Sequence, residues 1–488
     1  MFLLRALVVS FLAGLAGCGP QSVDAVPGPA SSSSLATAHQ RSGVMLQGFY
    51  WDVPAGGTWY DTVKAAVPQL ADMRGGYGVD LVWLPPPSKA AGGGLSMGYD
   101  PYDYYDLGQL EQKGTVETRF GSQAELRGLI GALHDRGLLA MADIVLNHRS
   151  GGESEANPRV GHPTWTDFSR VKSGKSTWHW SEFLPNGLHG ADPGAFAGFP
   201  DVAYADAAPY GDMRAWLSWL RSPDNAGFDA WRFDYVKGLY PWVPKDMKAG
   251  TGNVFSVGEY WDANTDTLDW WTSAADMSAF DFAAYYTLRD IVLDGSGGGH
   301  LPNLVDPRRT FAARSPLRAV TFAANHDTDE LTRDKMLAYA FILTYQGLPS
   351  IFWKDYFDYG LKNLGGQVGN GIDALVWVRG RLAQGAPRIE LLETRDGDCL
   401  IYGSLGWSVA APGYVVVLND SPTAWKGHWV NTGNPFLRGQ RLEPYAWHST
   451  VPGQNVRPMD KAVSGDGWVE LWAPPRGYAV YSLAGLRP

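Results

Sequence analysis

Short apolar runs, each about as long as a β-strand, recur along most of the chain and are separated by segments long enough for helices. Polar or acidic residues follow each run. This alternation is typical of repeated βα units around a parallel sheet, and eight strands are the number that closes a barrel. We therefore predict an α/β fold with a (β/α)8 TIM barrel; a doubly wound open sheet is the alternative. The eight runs begin at Val44, Val79, Leu138, Phe228, Val254, Ala279, Ala319 and Pro349.

Two parts of the chain depart from this repeat. Between the third and fourth runs lies a long stretch rich in Gly, Pro, Trp and Asp, which we interpret as a functional insertion, domain B. After about Glu393 the pattern changes to alternating short strands broken by Gly and Pro, which predicts a C-terminal antiparallel β-sandwich domain. The expected limits are residues 43–146 and 207–392 for the barrel, 147–206 for domain B and 393–488 for the C-terminal domain.

The N-terminus has the features of an export signal. Arg5 precedes an apolar stretch too short to remain as a spanning helix, so residues 1–17 are expected to be a signal peptide. The run that ends in Cys18 resembles a bacterial lipobox, and residues 18–42 are rich in Ser and Pro like a flexible tether. We expect a cell-surface or outer-membrane lipoprotein that meets the membrane only through a lipid on Cys18; ordinary secretion is the alternative. Since Cys399 is the one other cysteine, no internal disulfide is expected.

Composition narrows the classes of partner. The formal net charge of -10 and the pI of about 5.5 have the wrong sign for a protein that binds phosphate backbones, so no nucleic-acid partner is expected. The chain contains 21 Trp and 23 Tyr. Most such rings belong to the core, but flat amphipathic rings also suit the apolar faces of sugars. The sequence therefore admits a carbohydrate ligand.

Carboxylates end three of the apolar runs. Arg232 and Asp234 lie two apart on one strand, so their side chains share a face, and the cation favours an ionised Asp234. Glu259 ends the next strand, about 4.8 Å away, which allows the separation of about 5 to 5.5 Å of a retaining glycosidase. Aromatic neighbours and nearby anions should raise the pKa of Glu259, as a general acid requires. Asp327, beside His326 at the seventh run, adds a third carboxylate; each alone could be a structural ion pair or a helix cap.

Four segments in this order resemble the signature regions of the α-amylase family. The family resemblance implies a (β/α)8 barrel, domain B after the third strand, a C-terminal β domain and hydrolysis of α-glucans. Further segments extend the similarity from about Val44 to past Trp353, most closely to archaeal-type and bacterial liquefying members. The four regions are ADIVLNH at residues 142–148, WRFDYVKG at 231–238, GEYWD at 258–262 and ANHDTD at 324–329. The further segments are VMLQGFYWDVP, SMGYDPYDYYDLG, QKGTVETRFGS and FILTYQGLPSIFW.

The resemblance also implies a role for individual residues. Asp234 corresponds to the nucleophile, Glu259 to the general acid/base and Asp327 to the residue that stabilises the transition state. Lys237 would contact the sugar on the leaving-group side. Gly238 occupies a position where many members have His, and this difference is expected to affect the subsite contacts and the product pattern. The subsite on the non-reducing side of the cleaved bond would be lined by Arg232, His148, His326 and the stacking ring of Tyr99.

A calcium site is implied in domain B. Asn147, Asp192 and Asp201 offer hard oxygen ligands, and the surrounding loop resembles the calcium loop of the family. By resemblance, the carbonyls of Gly194 and Gly238 complete the site and join domain B to the strand of Asp234; the alternative is that these Asp residues cap turns. Some archaeal relatives bind zinc nearby, but the aligned positions here are Leu184, His189 and Ala203. One ligand cannot make a tetrahedral site, so no zinc is expected.

The sequence thus predicts a monomeric, calcium-dependent α-amylase that cuts internal α-1,4-glucosidic bonds of starch, glycogen and maltooligosaccharides with retention of configuration. A maltooligosaccharide-forming or transglycosylating sibling uses the same residues and stays open. A non-catalytic, glycan-binding surface lipoprotein is the alternative from another class, although binding alone would not need all three carboxylates. Core packing is favoured over a starch-docking face for the C-terminal tryptophans, which are Trp425, Trp429, Trp447, Trp468 and Trp472.

Overall fold

The computed structural model of the chain describes residues 43–187, 193–196, 198–294, 300–328, 331–364 and 370–487. The expected signal peptide, the tether and Cys18 lie outside these ranges. So do Asp192 and His189, which concern the calcium and zinc predictions.

Eight parallel strands form a closed barrel, as the sequence predicts. Each strand pairs with its neighbours in chain order, and Met45 of the first strand is in register with Ser350 of the last. This closing pair excludes the open doubly wound sheet. The barrel strands are β1 Met45–Gln47, β2 Leu81–Leu84, β3 Leu139–Ile144, β4 Ala230–Phe233, β5 Ser256–Gly258, β6 Ser278–Phe280, β7 Ala319–Phe322 and β8 Leu348–Phe352.

Helices pack around the barrel with their apolar sides inward. Local chemistry fixes where several begin: Ser122 and Glu125 form a capping box at the start of α2, and the side chain of Asn264 accepts two backbone N–H groups at the start of α5. Capping fixes the start of these two helices, and burial of an apolar stripe holds a helix on the barrel. The helices are α1 Trp59–Ala71, α2 Gln123–His134, α3 Ala207–Arg221, α4 Trp242–Ala249, α5 Thr265–Ala275, α6 Phe282–Asp294, α7 Phe311–Arg314, α8 Lys335–Thr344 and α9 Ile372–Trp377.

Strand register brings polar groups of β3, β4 and β5 to one end of the barrel. Arg232 of β4 is directly opposite Asp143 of β3, so the two side chains share a face. Phe233 is opposite Gly258, which precedes Glu259. Gly258 is required by packing, because a Cβ there would lie 2.1 Å from the indole of Trp271 in α5. The absence of that side chain lets α5 approach the strand end that carries Glu259.

Domain B leaves the barrel after β3. Its described part contains an antiparallel hairpin, Glu153–Asn157 with His162–Asp167, and a short pair, Phe183–Leu184 with Asp201–Val202. Arg149 is fully buried; its guanidinium donates to the carbonyls of Tyr102 and Ser176. This cation therefore joins the start of domain B to the segment that follows β2.

The C-terminal domain is an antiparallel β structure, as predicted. A six-stranded sheet has the order β9-β10-β11-β16-β13-β14, and a two-stranded ribbon of β12 and β15 packs on it over a separate apolar core. The sheet begins at Arg388, before the expected limit at 393. The strands are β9 Arg388–Glu393, β10 Cys399–Leu405, β11 Gly413–Asn419, β12 Lys426–Asn431, β13 Arg441–Ser449, β14 Lys461–Ala462, β15 Trp468–Ala473 and β16 Gly477–Leu483.

Helix α8 lies between the barrel and the C-terminal sheet. Every residue from Met336 to Thr344 is buried, so the helix has no solvent-facing side after its first residue. Its last residue bonds the C-terminal sheet directly, because the hydroxyl of Tyr414 donates to the carbonyl of Thr344 at 2.7 Å. Tyr402 Oη lies 2.6 Å from the Thr344 hydroxyl. One helix therefore belongs to the cores of both domains.

Within the described ranges, each helix is too short or too polar to cross a lipid bilayer. Cys399 is buried in β10 and carries a free thiol.

Candidate active site

Arg232 lies at the centre of the polar cluster. Its Nη1 contacts Asp143 Oδ1 at 2.8 Å and Asp234 Oδ1 at 2.6 Å, and its Nη2 contacts Glu259 Oε1 at 2.7 Å. The guanidinium is only 1% exposed, so these contacts form away from bulk water. The expected pairing of Arg232 with Asp234 on one face is present. One planar cation thus sets the separation of the two carboxylates at the ends of β4 and β5.

Glu259 is buried beside two other acids. Burial, and then the anions of Asp234 and Asp327, raise its pKa to about 8 against the lowering effect of Arg232. The backbone N–H of Tyr235 donates to its Oε2 at 3.0 Å and fixes the side chain. The expected rise in pKa is therefore present, with burial as the main cause, and Glu259 can hold a proton at neutral pH.

A ring of aromatic groups lies across the barrel mouth from these acids. Asp327 Oδ2 is 3.2 Å from Nε2 of His326, whose ring stacks on Tyr99 with centroids 5.3 Å apart. The exposed ring of Trp51 is parallel to both. Burial lowers the pKa of His326 well below its usual value, and Gln47 Nε2 lies 2.8 Å from its Nδ1. A neutral imidazole and flat apolar rings thus line this side.

The remaining predicted sugar contacts are His148 and Lys237. The ring of His148 lies against both Phe196 and Phe199, with centroids 4.8 and 5.0 Å away, and its Nε2 lies 2.8 Å from the carbonyl of Tyr99. Its buried Nδ1 has no hydrogen-bond partner in the described structure. Lys237 is half exposed beyond Glu259 and donates to the carbonyl of Trp261 at 2.8 Å. His148 thus follows β3, and Lys237 follows the neighbouring strand β4, three residues after Asp234.

Oxygen atoms converge on Asn147 where domain B meets the barrel. Asn147 Nδ2 lies 2.8 Å from Asp201 Oδ1, 3.3 Å from the Gly238 carbonyl and 3.4 Å from the Gly194 carbonyl. An amide has two N–H donors for these three acceptors, and the buried Oδ1 has no partner among the described residues. A Cβ on Gly238 would lie 2.5 Å from the Gly194 carbonyl, so only glycine permits this approach.

This oxygen set fits a hard cation such as calcium, which accepts amide, carboxylate and carbonyl oxygens. The described residues contain no group of three or more His, Cys, Asp or Glu side chains that could bind a metal, so backbone and amide oxygens would have to contribute. Leu184 and Ala203, at two positions of the zinc site of some relatives, have no ligating side chains.

Asp143 is the main residue of the site that sequence reasoning missed. It is fully buried; its Oδ2 accepts from the indole N–H of Trp83 at 3.1 Å and from the Tyr99 hydroxyl at 2.8 Å, while Oδ1 faces Arg232. The sequence could have indicated Asp143, because it is an acid within the otherwise apolar run of β3. Trp51 and Gln47 were also missed, although both belong to the first motif of the chain.

Comparison with known proteins agrees with this architecture. Residues 414–482 match the family described as Alpha-amylase C-terminal. The chain is 26% identical to the alpha-amylase of Bacillus licheniformis over 516 aligned residues, which cover 92% of this chain and 95% of that protein. It is 28% identical to the glucan 1,4-alpha-maltohexaosidase of Bacillus sp. (strain 707), with 88% of this chain and 90% of that protein covered.

Among solved structures, an alpha-amylase from Malbranchea cinnamomea has the same fold. The TM-score is 0.66 at 18% identity, over 91% of this chain and 96% of that chain. The closed barrel with its C-terminal β domain, the matched C-terminal segment and the near full-length relatives give one conclusion. In fold and over most of its sequence, this chain is similar to the α-amylase family.

Proposed function

We propose that the protein is an α-amylase, which hydrolyses internal α-1,4-glucosidic bonds of starch, glycogen and maltooligosaccharides with retention of configuration. The observation that carries the proposal is the single guanidinium of Arg232 between Asp234 and Glu259. One cation contacting both carboxylates favours the close spacing of a retaining enzyme over the wider spacing, about 6.5 to 9.5 Å, that an inverting enzyme needs for a water molecule.

In the first step, Asp234 attacks the anomeric carbon while Glu259 gives its proton to the glycosidic oxygen. The bond to the leaving chain breaks, and a covalent glycosyl ester forms on Asp234. In the second step, Glu259, now an anion, takes a proton from water as the water oxygen attacks the same carbon. The ester bond breaks, Asp234 is released and Glu259 is protonated again. Two inversions give net retention.

The surroundings of the acids suit this division of roles. Glu259 has its pKa raised by burial and by neighbouring anions, so it starts the cycle protonated. Asp234 contacts Arg232 at 2.6 Å, which stabilises the carboxylate that attacks. Asp327, across the cleft, is in a position to accept hydrogen bonds from sugar hydroxyls as the transition state forms.

We further propose that Tyr99, His148, Arg232 and His326 bind the sugar on the non-reducing side. Tyr99 presents a ring for stacking, and the imidazoles and guanidinium offer hydrogen bonds to hydroxyls. Lys237 would contact the first sugar on the leaving-group side. Tyr99 Oη and His326 Nε2 lie 2.8 Å apart, and this contact supports the proposal because it holds two of the candidates together before a sugar binds.

Calcium is proposed as a structural ion at Asn147. Asn147, Asp201 and the carbonyls of Gly194 and Gly238 would hold it, with Asp192 as the further ligand expected from the sequence. The ion would neutralise converging oxygen dipoles and join domain B to the segment after β4, which carries Asp234. It takes no part in the chemical steps.

The N-terminal segment supports a proposal on location. Export with a lipid on Cys18 predicts that the Cys18→Ser variant leaves the membrane fraction and appears in the soluble extracellular or periplasmic fraction. Membrane association equal to that of the wild-type chain would contradict the anchor.

The proposed reaction is tested by proton NMR of maltoheptaose during early digestion, with calcium present. Newly formed reducing ends should appear first as α-anomers, from internal cuts. Initial β-anomers would exclude the two-step mechanism, and no cleavage would favour a glycan-binding protein. A ladder dominated by one length would favour the maltooligosaccharide-forming alternative, for which the maltohexaosidase-like sequence is the supporting observation. The Asp234→Asn variant, which keeps the shape of the site, should show no cleavage.

A further inference from the structure

The ribbon of β12 and β15 in the C-terminal domain has two unlike faces. Val430, Val469 and Leu471 point inward and are almost completely buried in the domain core. On the outer face Trp429 is 64% exposed and Trp468 is 45% exposed, and Trp472 is half-buried beside them. The prediction of core packing is thus wrong for Trp429 and Trp468, because strand alternation directs them away from the core that the three aliphatic residues fill.

Pairing aligns the three indoles into one stripe. Trp429 is directly opposite Glu470, so it is the diagonal neighbour of both Trp468 and Trp472. Diagonal neighbours lie about 7 to 8 Å apart, and four residues of strand span about 14 Å, so the stripe is about 14 Å long. In the part of the chain that the structure describes, none of these rings stacks on another aromatic ring. The exposed parts of Trp429 and Trp468 are accessible to a ligand.

Gly427 allows one ring to lie against the ribbon. It is opposite Trp472, and a Cβ at this position would come within 2.7 Å of Cγ and Cδ2 of the indole. A side chain at this position would displace the ring. The indole of Trp472 is therefore set low over the backbone and extends the surface that Trp429 and Trp468 begin.

A polar group lies within the stripe. Glu470 is between the three rings on the same outer face, and its carboxylate has no hydrogen bond or ion pair with any described residue. A carboxylate accepts hydrogen bonds from hydroxyl groups, and indole faces accept the apolar faces of sugar rings. The stripe thus offers both kinds of contact that a sugar chain needs.

We propose that this ribbon face is a second glucan-binding site, outside the active site, that holds the enzyme on long α-glucan chains. The size of the surface favours this occupant over a second copy of the chain. Two strands of six residues present about 200 Å², whereas a stable protein interface buries about 800 Å² on each partner. The proposal rests on the proposed function for the identity of the glucan.

The test compares binding and hydrolysis in the full-length chain. Binding to granular starch and to amylose is measured in a Glu259→Gln background, so that the glucan stays intact. The Trp429→Ala/Trp468→Ala double variant should bind about tenfold or more weakly, since each aromatic contact contributes a factor of about three to ten. With Glu259 restored, this variant should digest granular starch more slowly but cleave maltoheptaose at the wild-type rate. The Trp429→Tyr/Trp468→Tyr variant, which keeps flat rings, should retain most of the binding.

Trp407→Ala is the matched control, because Trp407 is a C-terminal-domain tryptophan of similar exposure, 47%, outside the ribbon. Granule binding by the double alanine variant within twofold of wild type, or an equal loss in the control, would overturn the proposal. So would loss of a concentration-dependent dimer by light scattering in the double variant, which would make the face a self-association surface. Failure of the proposed function can be distinguished from failure of this proposal. In that case the ribbon would still bind starch, but the protein would cleave no glucan.

Discussion

Replacing Arg232 by methionine removes the positive charge that three acids share while keeping most of the side-chain volume. The carboxylates of Asp143, Asp234 and Glu259 lie 2.6 to 2.8 Å from this guanidinium. Removing one partner of a buried ion pair costs about 3 to 5 kcal/mol, because the remaining charge stays buried without compensation. With an unfolding entropy of about 2.1 cal/mol/K per residue, a chain of 488 residues loses about 1 °C of Tm per kcal/mol. We therefore expect Tm to fall by about 3 to 5 °C at pH 8.

The loss should depend on pH. Burial already raises the pKa of Asp143 and of Glu259, and loss of the cation, whose effect lowers both, raises these two pKa values further above those of the unfolded chain. Groups with a raised folded pKa contribute stability that is present at low pH and is lost as the pH rises through that pKa. One additional bound proton changes the free energy of unfolding by about 1.4 kcal/mol per pH unit. The deficit relative to wild type should therefore shrink by about 4 °C between pH 8 and pH 5.

The assay is calorimetric unfolding of wild type and variant at one scan rate from pH 5 to pH 8. Arg308→Met is the matched control, because Arg308 is 85% exposed and solvent screens its pair with Asp306, so its loss should change Tm very little. A deficit that is the same at every pH would show lost packing instead of uncompensated charge. A deficit that is largest at pH 5 would refute the electrostatic reasoning outright.

Three further predictions follow from the site. The kcat for maltoheptaose should fall as the pH rises through about 8, because Glu259, whose pKa is raised to that value, loses the proton it donates; a flat profile to pH 10 would contradict this. Asp143→Asn should lower kcat about 100-fold with a smaller change in KM, because an amide offers one oxygen where the carboxylate uses two to orient Arg232, Trp83 and Tyr99. Steady-state kinetics at fixed pH would measure both changes, and a near-normal kcat would refute this role of Asp143. Removal of calcium by a chelator should lower Tm by about 4 °C relative to a sample that contains calcium at a thousandfold its Kd. The Asn147→Ala variant should not show this shift in Tm, and an equal shift in the variant would place calcium elsewhere.

The barrel could be predicted from sequence because its signal is repeated and local. Each apolar run becomes a strand, and parallel strands bring their carboxyl ends to one rim, so acids that follow different runs are expected together. Asp234 and Glu259 were found in this way. In the structure, both carboxylates contact Arg232, which lies on β4 two residues before Asp234.

The residues that the sequence did not predict depend on tertiary contacts, which hydrophobic periodicity does not encode. Asp143 is separated from Arg232 by 89 residues, and only the register of β3 with β4 pairs them. Trp51 lies in a loop, where no repeat fixes the direction of the ring. For Trp429 and Trp468 the alternation was visible, but the sequence did not indicate which face of the ribbon meets the core. These residues required the assembled tertiary structure.

Helix α8 has a consequence for how the chain is built and divided. During synthesis from the N-terminus, all eight barrel strands emerge before Tyr402 and Tyr414, so one side of α8 has no partner until the C-terminal sheet arrives. A truncated barrel ending near residue 387 would expose that apolar side and should aggregate. Exchange of the C-terminal sheet for that of a relative should therefore succeed only if α8 is exchanged with it.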